Sequence, residues 1–488
     1  MRTSVFSLLL FAVIFPFRAA SQIIPIRTIP LAQGDQFLVH PSVNRVMGGV
    51  SIAVEDSLAD PFVNPAAGSM VKGVRASTSP MVYGVGLESG ARSTVNATFP
   101  MSILLGGERY FGGLTWARQV LSSKEVSFPI VMSTPWGGTS GESNANTYTF
   151  GLVGMNIPGT AFSVGLSAFW ADLNAVDGVQ YLYPRGGDLT QRGSIATYRL
   201  GFRGTWDGGC AFEAVLAHQA TDMRHLMQIG SPGPVMPFDD WIPLSTIREE
   251  EDKTLAYGLH LEYSQPLNAV WRIGGILTGT VKTHPKIPNY ELMNIPRDPG
   301  NSSAWNVGIG LSSKGSSASF GIDVVYEPVR SETWAEGEMA VMAADGIDFV
   351  PVTRTVRTIE NFFDFSNYHL RFGVRSLVRD IGAGLRFHRI SYDMKQIDHR
   401  AGTVRRQKES WTEITFSFGF GFALWGGQVK YLGLADFGTG RPGVEGGIVP
   451  TAGGFDSASD FLVAPSGALV LDDAVIITHQ VSFIIHLD

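Results

Sequence analysis

Over much of this chain, apolar and polar residues alternate with period two, in runs longer than an ordinary strand. In 255–263, Leu255, Tyr257, Leu259, Leu261 and Tyr263 share one face, and Ala256, Gly258, His260 and Glu262 the other. Trp305, Val307, Ile309 and Leu311 alternate with Asn306, Gly308, Gly310 and Ser312. Tyr368, Leu370, Phe372 and Val374 alternate with His369, Arg371, Gly373 and Arg375, and 414–424 repeats the pattern with phenylalanines. Period-two alternation places each set on one face of an extended segment. The runs cover roughly 9–13 residues, against about 5–6 in a typical globular strand. A tilted strand needs about 9–11 to cross the hydrocarbon layer. The second face carries Arg, Glu, Asp and His beside Gly and Ser, as the interior of a transmembrane barrel does.

Composition agrees. Among 488 residues, 57 are glycine, 44% are hydrophobic and only 17% charged, where about 25% charged is average. Past residue 21 no apolar run reaches the ~18 residues of a membrane helix, so the apolar excess must reside in strands. A net charge of -7 with no basic cluster excludes a nucleic-acid partner. Cys210 is the only cysteine, so no internal disulfide can form.

Residues 1–21 have the layout of a secretory signal peptide: Arg2, an apolar run from Val5 to Phe15, and small residues around Ala19-Ala20-Ser21. Residues 22–78 do not alternate and read as an N-terminal plug. Residues 79–488 read as the barrel. Short, turn-rich connections such as Asn156-Ile157-Pro158-Gly159, Ser313-Lys314-Gly315-Ser316 and Trp425-Gly426-Gly427-Gln428 alternate with longer segments near 122–145, 172–193, 220–252, 283–303, 329–365, 395–410 and 438–477. That asymmetry separates periplasmic turns from extracellular loops. The expected fold is all-β: a transmembrane antiparallel barrel of about 14 strands, 16 being the alternative, its count open between residues 77 and 121. The last strand is expected over 478–487 with Val481, Phe483, Ile485 and Leu487 outward.

Within the N-terminal segment, Val50, Val54, Leu58 and Phe62 form one stripe of a helix expected over 50–62, stopped by Asn64-Pro65. Gly48-Gly49-Val50-Ser51-Ile52-Ala53-Val54-Glu55-Asp56 followed by Asn64-Pro65-Ala66-Ala67-Gly68 resembles the N-terminal signature of the long-chain fatty-acid transporter superfamily of outer-membrane barrels. The family's element is Asn-Pro-Ala-Gly; here it is one residue longer. The resemblance implies a 14-stranded barrel, a helical hatch carrying Gly48, Gly49, Asp56, Asn64, Pro65, Ala66 and Gly68, and a lateral route for hydrophobic solutes. It also extends to the outer-membrane shuttle of type IX secretion, which implies an exported protein as partner instead.

Arg199, Arg203, Arg272, Arg371, Arg375 and Arg386 share the inward register with Glu262 and Asp323. Two readings stand. They pair with acids and stiffen the barrel, or they form a ring selecting an anionic solute such as a fatty-acid carboxylate. Gly137-Gly138-Thr139-Ser140-Gly141 lacks the strand-to-helix setting of a nucleophile elbow and reads as a loop. The ten histidines have no ligand spacing, so no metal is expected. Glu249-Glu250-Glu251-Asp252 reads as a solvated face in an external loop. No catalytic set and no cofactor site emerge. The expected function is passive uptake or exchange of hydrophobic solutes across a bacterial outer membrane: capture at the loops, transfer into the barrel, release past a moving hatch. Membrane lipids and hydrophobic small molecules, or a secretion partner, are the expected associates.

Overall fold

The structure, a computed structural model, describes residues 32, 34–87, 92–125, 141–178, 186–206, 208–229, 246–283, 300–345, 348–399, 401–444 and 469–487. The signal segment, Gly137 to Ser140 and most of the tips of the longer connections lie outside the described residues. The chain runs through β1 (Gly73–Thr78), β2 (Met81–Leu87), β3 (Arg92–Gly106), β4 (Tyr110–Glu125), β5 (Gly141–Asn156) and β6 (Phe162–Leu173). It continues through β7 (Gly186–Thr205), β8 (Ala211–Ile229), β9 (Thr246–Pro266), β10 (Trp271–Thr283), β11 (Asn301–Lys314) and β12 (Ala318–Asp345). It ends with β13 (Asp348–Ser376), β14 (Ile381–Asp398), β15 (Thr403–Leu424), β16 (Gly427–Val444) and β17 (Leu469–Leu487).

From β3 to β17 each strand pairs antiparallel with the next. β1 and β2 close the ring together. β1 aligns Val74 with Leu487 and Gly73 with Gly106; β2 aligns Leu87 with Ala474 and Met81 with Thr98. They are two halves of one wall strand broken at Ser79-Pro80. Pro80 has no N–H to give the ladder, though its carbonyl accepts from Val481 N–H at 3.0 Å. The wall therefore has 16 strand positions, which corrects the expected 14. Each half of the broken strand is too short to read as a membrane strand by itself, so alternation alone missed it. Residues 73–78, grouped in sequence with the N-terminal segment, lie in this wall.

The even number brings Gly73 and Leu487 side by side at the end where the turns are short. At the other end, several expected loops are strand. Residues 329–365 belong mostly to the β12–β13 hairpin, whose strands of 28 and 29 residues far exceed the length a membrane needs. Residues 395–410 fall largely in β14 and β15, and the acidic run Glu249 to Asp252 lies in β9, paired with β8. Beyond the membrane the outward face turns charged, with Arg330, Asp364, Asp393 and Lys408, so the apolar-out pattern that marks a membrane strand is lost.

The outer face follows from the pleat. Leu114, Val153, Leu166, Ile309, Val324, Phe416 and Phe418 point out and are about half exposed or more. Nothing in a water-soluble fold justifies such a belt; a bilayer does. Trp305, Tyr326 and Tyr368 stack along its upper edge, with ring centroids 5.9 Å and 4.9 Å apart. Above them the outward register turns charged, with Arg330–Asp364 at 3.3 Å and Lys408–Asp393 at 2.8 Å. Tyr110, Tyr263, Trp206 and Trp271 mark the lower edge. A closed barrel with this belt and two aromatic edges is an outer-membrane barrel.

Ile309 is 61% exposed in the middle of the belt. Ile309→Arg is expected to lower folding stability by about 2–4 kcal/mol, read as a shifted urea midpoint in lipid vesicles. Ser312→Arg, inward on the same strand, would instead collide with the segment described next.

Candidate functional site

The N-terminal segment lies inside the barrel and touches most of its circumference. Its upper end is pinned near the outer loops. Ala32 N–H donates to Gly440 O at 3.2 Å, and Gly34 N–H to Asp177 Oδ2 at 2.9 Å. Gln36 spans β4 and the connection after β6: its Nε2 donates to Ala175 O at 2.9 Å, its Oε1 accepts from Asp177 N–H at 2.9 Å, and its carbonyl accepts from Gln119 Nε2 at 2.9 Å. Below this, Asp56 organises a knot. Its Oδ2 accepts from Ser42 Oγ at 2.8 Å, Val43 N–H at 2.5 Å and Asn44 N–H at 3.1 Å, and its Oδ1 from Leu58 N–H at 3.0 Å. One carboxylate thus takes donors that no regular element could satisfy. Residues 50–59 form turns in place of the expected helix over 50–62, with N–H groups taken by side chains: Ser51 and Ile52 by Asp323, Asp56 by Asp60 and Leu58 by Asp56. The helical pieces are short: Asn44–Met47, Asp60–Val63 and Pro65–Met70.

Gly48 and Gly49 turn the segment sharply, at φ 70° and 80°, a region unfavourable to a side chain. Asn64, nearly fully buried, caps the Pro65–Met70 turn. Its Oδ1 accepts from Ala66 N–H at 3.0 Å, and its Nδ2 donates to Phe202 O at 3.2 Å and Glu213 Oε2 at 2.7 Å. The motif residues therefore fasten the segment to β7 and β8. Facing it, the wall presents glycines. A methyl group at Gly165 would lie 2.6 Å from the Pro65 carbonyl carbon, at Gly274 2.7 Å from Ile52 O, and at Gly310 2.7 Å from Ile52 Cβ. Much of the chain's glycine surplus is this inner lane, where backbone meets backbone.

The six inward arginines spread around the lumen: Arg199, Arg203, Arg272 and Arg371 reach the segment, while Arg375 and Arg386 bond the wall and its turns. Arg199 donates to the carbonyls of Phe62 and Val63. Arg203 bridges Glu213 and Glu55, both at 2.9 Å, and Arg272 comes within 4.0 Å of Glu55. Arg371 lies 3.8 Å from Asp323 and 3.3 Å from Gly49 O, while Asp323 accepts from Ser51 N–H at 2.7 Å. Arg375 pairs with Asp380 at 2.6 Å, and Arg386 with Asp436 at 3.3 Å. Glu262 faces inward beside His260, 3.6 Å away.

Above this seat, the inner faces of β11–β15 are stacked in rows by register. One row, against the segment, is Gly321–Gly373–Gly384–Ser417, above the row of Arg375. Next come Asp323–Arg371–Arg386–Thr415, then Val325–His369–His388–Glu413. The two imidazoles stack at 4.0 Å, with Glu327 3.5 Å from His369 and Glu413 3.1 Å from His388. Above them, on the inner face, is a buried apolar cluster: Ala304, Val329, Phe363, Phe365, Ile390, Tyr392, Met394 and Trp411. Its rings lie 5.5–6.2 Å apart, from Phe365–Tyr392 to Tyr392–Trp411. Sequence reading missed this cluster because it placed residues 329–365 and 395–410 in loops; the inward repeat Asn361, Phe363, Phe365, Asn367, His369 was the available signal.

At the base of this cluster the wall ladder lapses twice at one height. Pairing between β11 and β12 skips Trp305-Asn306 opposite Glu327-Pro328, where Pro328 has no donor. Pairing between β13 and β14 skips Ser366-Asn367 opposite Ile390-Ser391, and Ser391 Oγ donates to Ser366 O at 2.8 Å instead. Both lapses sit at the level of the upper aromatic edge. Among the described residues no cluster of three or more metal-ligating side chains occurs.

No protein-family model and no curated protein matches this chain. Among solved structures it is similar to the Pseudomonas putida toluene transporter TodX, at 9% identity over 95% of this chain and 100% of that one, TM-score 0.41. A Pseudomonas aeruginosa FadL homologue aligns at 12% identity over 92% and 99%, TM-score 0.41, and the monoaromatic hydrocarbon channel CymD at 13% over 93% and 98%, TM-score 0.32. Likeness of architecture at this level does not define a cargo.

Asn64→Ala removes three hydrogen bonds of a buried side chain and is expected to cost the seated segment about 1–3 kcal/mol, read as faster hydrogen exchange over residues 40–70 with the wall unchanged. His40 stacks on Phe62 at 4.6 Å; burial, with Arg45 and Arg199 nearby, pushes its pKa down to about 3. A group whose pKa falls on docking stabilises the docked state fully above its free value near 6.5, and loses that contribution as pH drops towards 3. Burial pushes Asp60 up, which acts in the opposite sense above the free carboxylate range. Acidification from pH 6.5 to 4 is therefore expected to loosen the segment through His40, and His40→Phe to blunt that loosening in the same exchange measurement.

Proposed function

We propose that this barrel passes hydrophobic solutes across the outer membrane without a covalent step. The observation that supports this most directly is the aromatic cluster on the inner face of the wall above the seated segment, which we read as the lining of a solute chamber. In a barrel filled only for stability, inward residues would be polar or packed on the plug. Here Phe363, Phe365, Tyr392 and Trp411 pack with one another on the inner face, and none of the described N-terminal residues belongs to their cluster. Concave apolar linings with a few polar groups are what small apolar ligands require.

The path follows from what blocks the alternatives. Straight descent would require breaking the Asp56 knot, the Asn64 anchor and the Asp323 and Arg371 contacts together. The nearest lower-cost route is sideways. At the chamber floor the pairing of two wall ladders is interrupted over two residues each, at the height of the upper aromatic edge, so a sideways opening there breaks fewer backbone hydrogen bonds than elsewhere along those strands. The solute enters from the outer end, rests on the rings and leaves laterally into the bilayer. The inward arginines are engaged by acids and by carbonyls of the segment, so a carboxylate-selecting ring is not part of this reading.

Cells expressing the protein are expected to accumulate butylbenzene faster than cells without it, and Trp411→Ala to reduce that rate at least threefold at equal surface expression. Accumulation at the background rate with the native protein would remove the proposal.

A further inference from the structure

The floor of the chamber carries information about the solute's polar end. Its row on the inner face is Asn306, Glu327, Asn367, Ile390 and Trp411, read from the neighbouring pairs Ala304–Val329, Val329–Phe365 and Ile390–Trp411. Asn306 Oδ1 and Asn367 Oδ1 are buried acceptors with no hydrogen-bonding partner among the described residues, and Trp411 Nε1 is a buried donor in the same condition. Asn367 and Trp411 are less than a tenth exposed. A buried polar atom without a partner costs about 1–3 kcal/mol, so a ligand group that supplies one is favoured there. The carboxylate of Glu327 joins this row, Glu413 stands one row below, and Glu409 one row above, where it accepts from Tyr392 Oη at 3.0 Å.

The inward cations are set apart from this floor. Arg371 and Arg386 lie two rows below, held by Asp323 and Asp436. Arg405 lies above the chamber wall and donates to Gln407. Around a bound head stand the Asn306 and Asn367 amides, the Glu327 carboxylate and one indole N–H, with the stacked His369–His388 pair and Glu413 one row below.

Resting on the transport reading above, we infer that the chamber selects apolar solutes whose polar end donates a hydrogen bond, a hydroxyl being the simplest, and rejects those ending in a carboxylate. A hydroxyl donates to an asparagine oxygen or Glu327 and accepts from Trp411. A carboxylate offers acceptors only, and places its charge beside Glu327 and Glu413 in a site shielded from water, where like charges repel strongly.

The test compares 4-phenylbutan-1-ol with 4-phenylbutanoate, which share ring and chain length. Binding is measured at pH 8 by quenching of tryptophan fluorescence in purified, detergent-solubilised full-length protein. The native protein is expected to bind the alcohol at least tenfold more tightly. The Glu327→Gln/Glu413→Gln variant, checked for the heat-modifiable migration of a folded barrel, is expected to bring that ratio towards one. Equal or tighter binding of the carboxylate by the native protein overturns the selectivity while leaving the chamber as a solute site. A native preference that persists undiminished in the folded variant overturns the acidic floor as its cause. No binding of either probe removes the transport reading and the selectivity with it. If the variant does not fold, the native ratio alone decides.

Discussion

Inside a bilayer a strand cannot leave a backbone N–H or C=O unpaired, since no water is there to take its place. Every spanning segment of this chain meets that requirement sideways, and the ring closes only because the two ends of the wall pair with each other. Most other features follow. Closure sets one face to lipid and one to an interior, and a ring of 16 positions leaves an interior too wide for wall side chains alone to fill. The N-terminal segment occupies much of it. Its own backbone polar groups then need partners, which come from Asp56, Asp323, Arg199, Arg371 and Ser417, while glycines on the wall let its backbone come close.

The interior is graded along the barrel axis. Nearest the short turns lies Arg375, then a row of glycines, then charge held by wall acids and by the segment, then two stacked histidines with glutamates, and above these the aromatic cluster. The gradation is a consequence of register: one two-residue step along β12–β15 moves every inward side chain by one row. The places where the ladder lapses lie between the polar and aromatic rows. They coincide with Pro328, which has no donor, and with Ser391, whose hydroxyl serves Ser366 in place of the ladder.

The chain's alternation made the barrel legible, and the faces of β9, β11, β12, β13, β15 and β17 could be read residue by residue. The arginines on the inner face were legible too, since their register follows from their apolar neighbours. Their partners were less so: Arg199 and Arg371 bond carbonyls of a segment more than a hundred residues away, and no pattern announces a carbonyl. The broken strand at Ser79-Pro80 escaped because its halves are short. The aromatic cluster escaped because β12 and β13 run on past the membrane, where the outward face turns charged and the apolar side chains lie inward, the reverse of the pattern that marks a membrane strand.

By itself, then, the sequence determined a lipid-facing belt, an inward polar face and a non-alternating segment ahead of the wall, because those depend only on the pleat and on which side chains water or hydrocarbon accepts. The tertiary structure alone decided the number of wall positions, the seat of the segment and the gathering of Phe363, Phe365, Tyr392 and Trp411 into one cluster. Those depend on closure and register, which bring together residues that no local spacing relates.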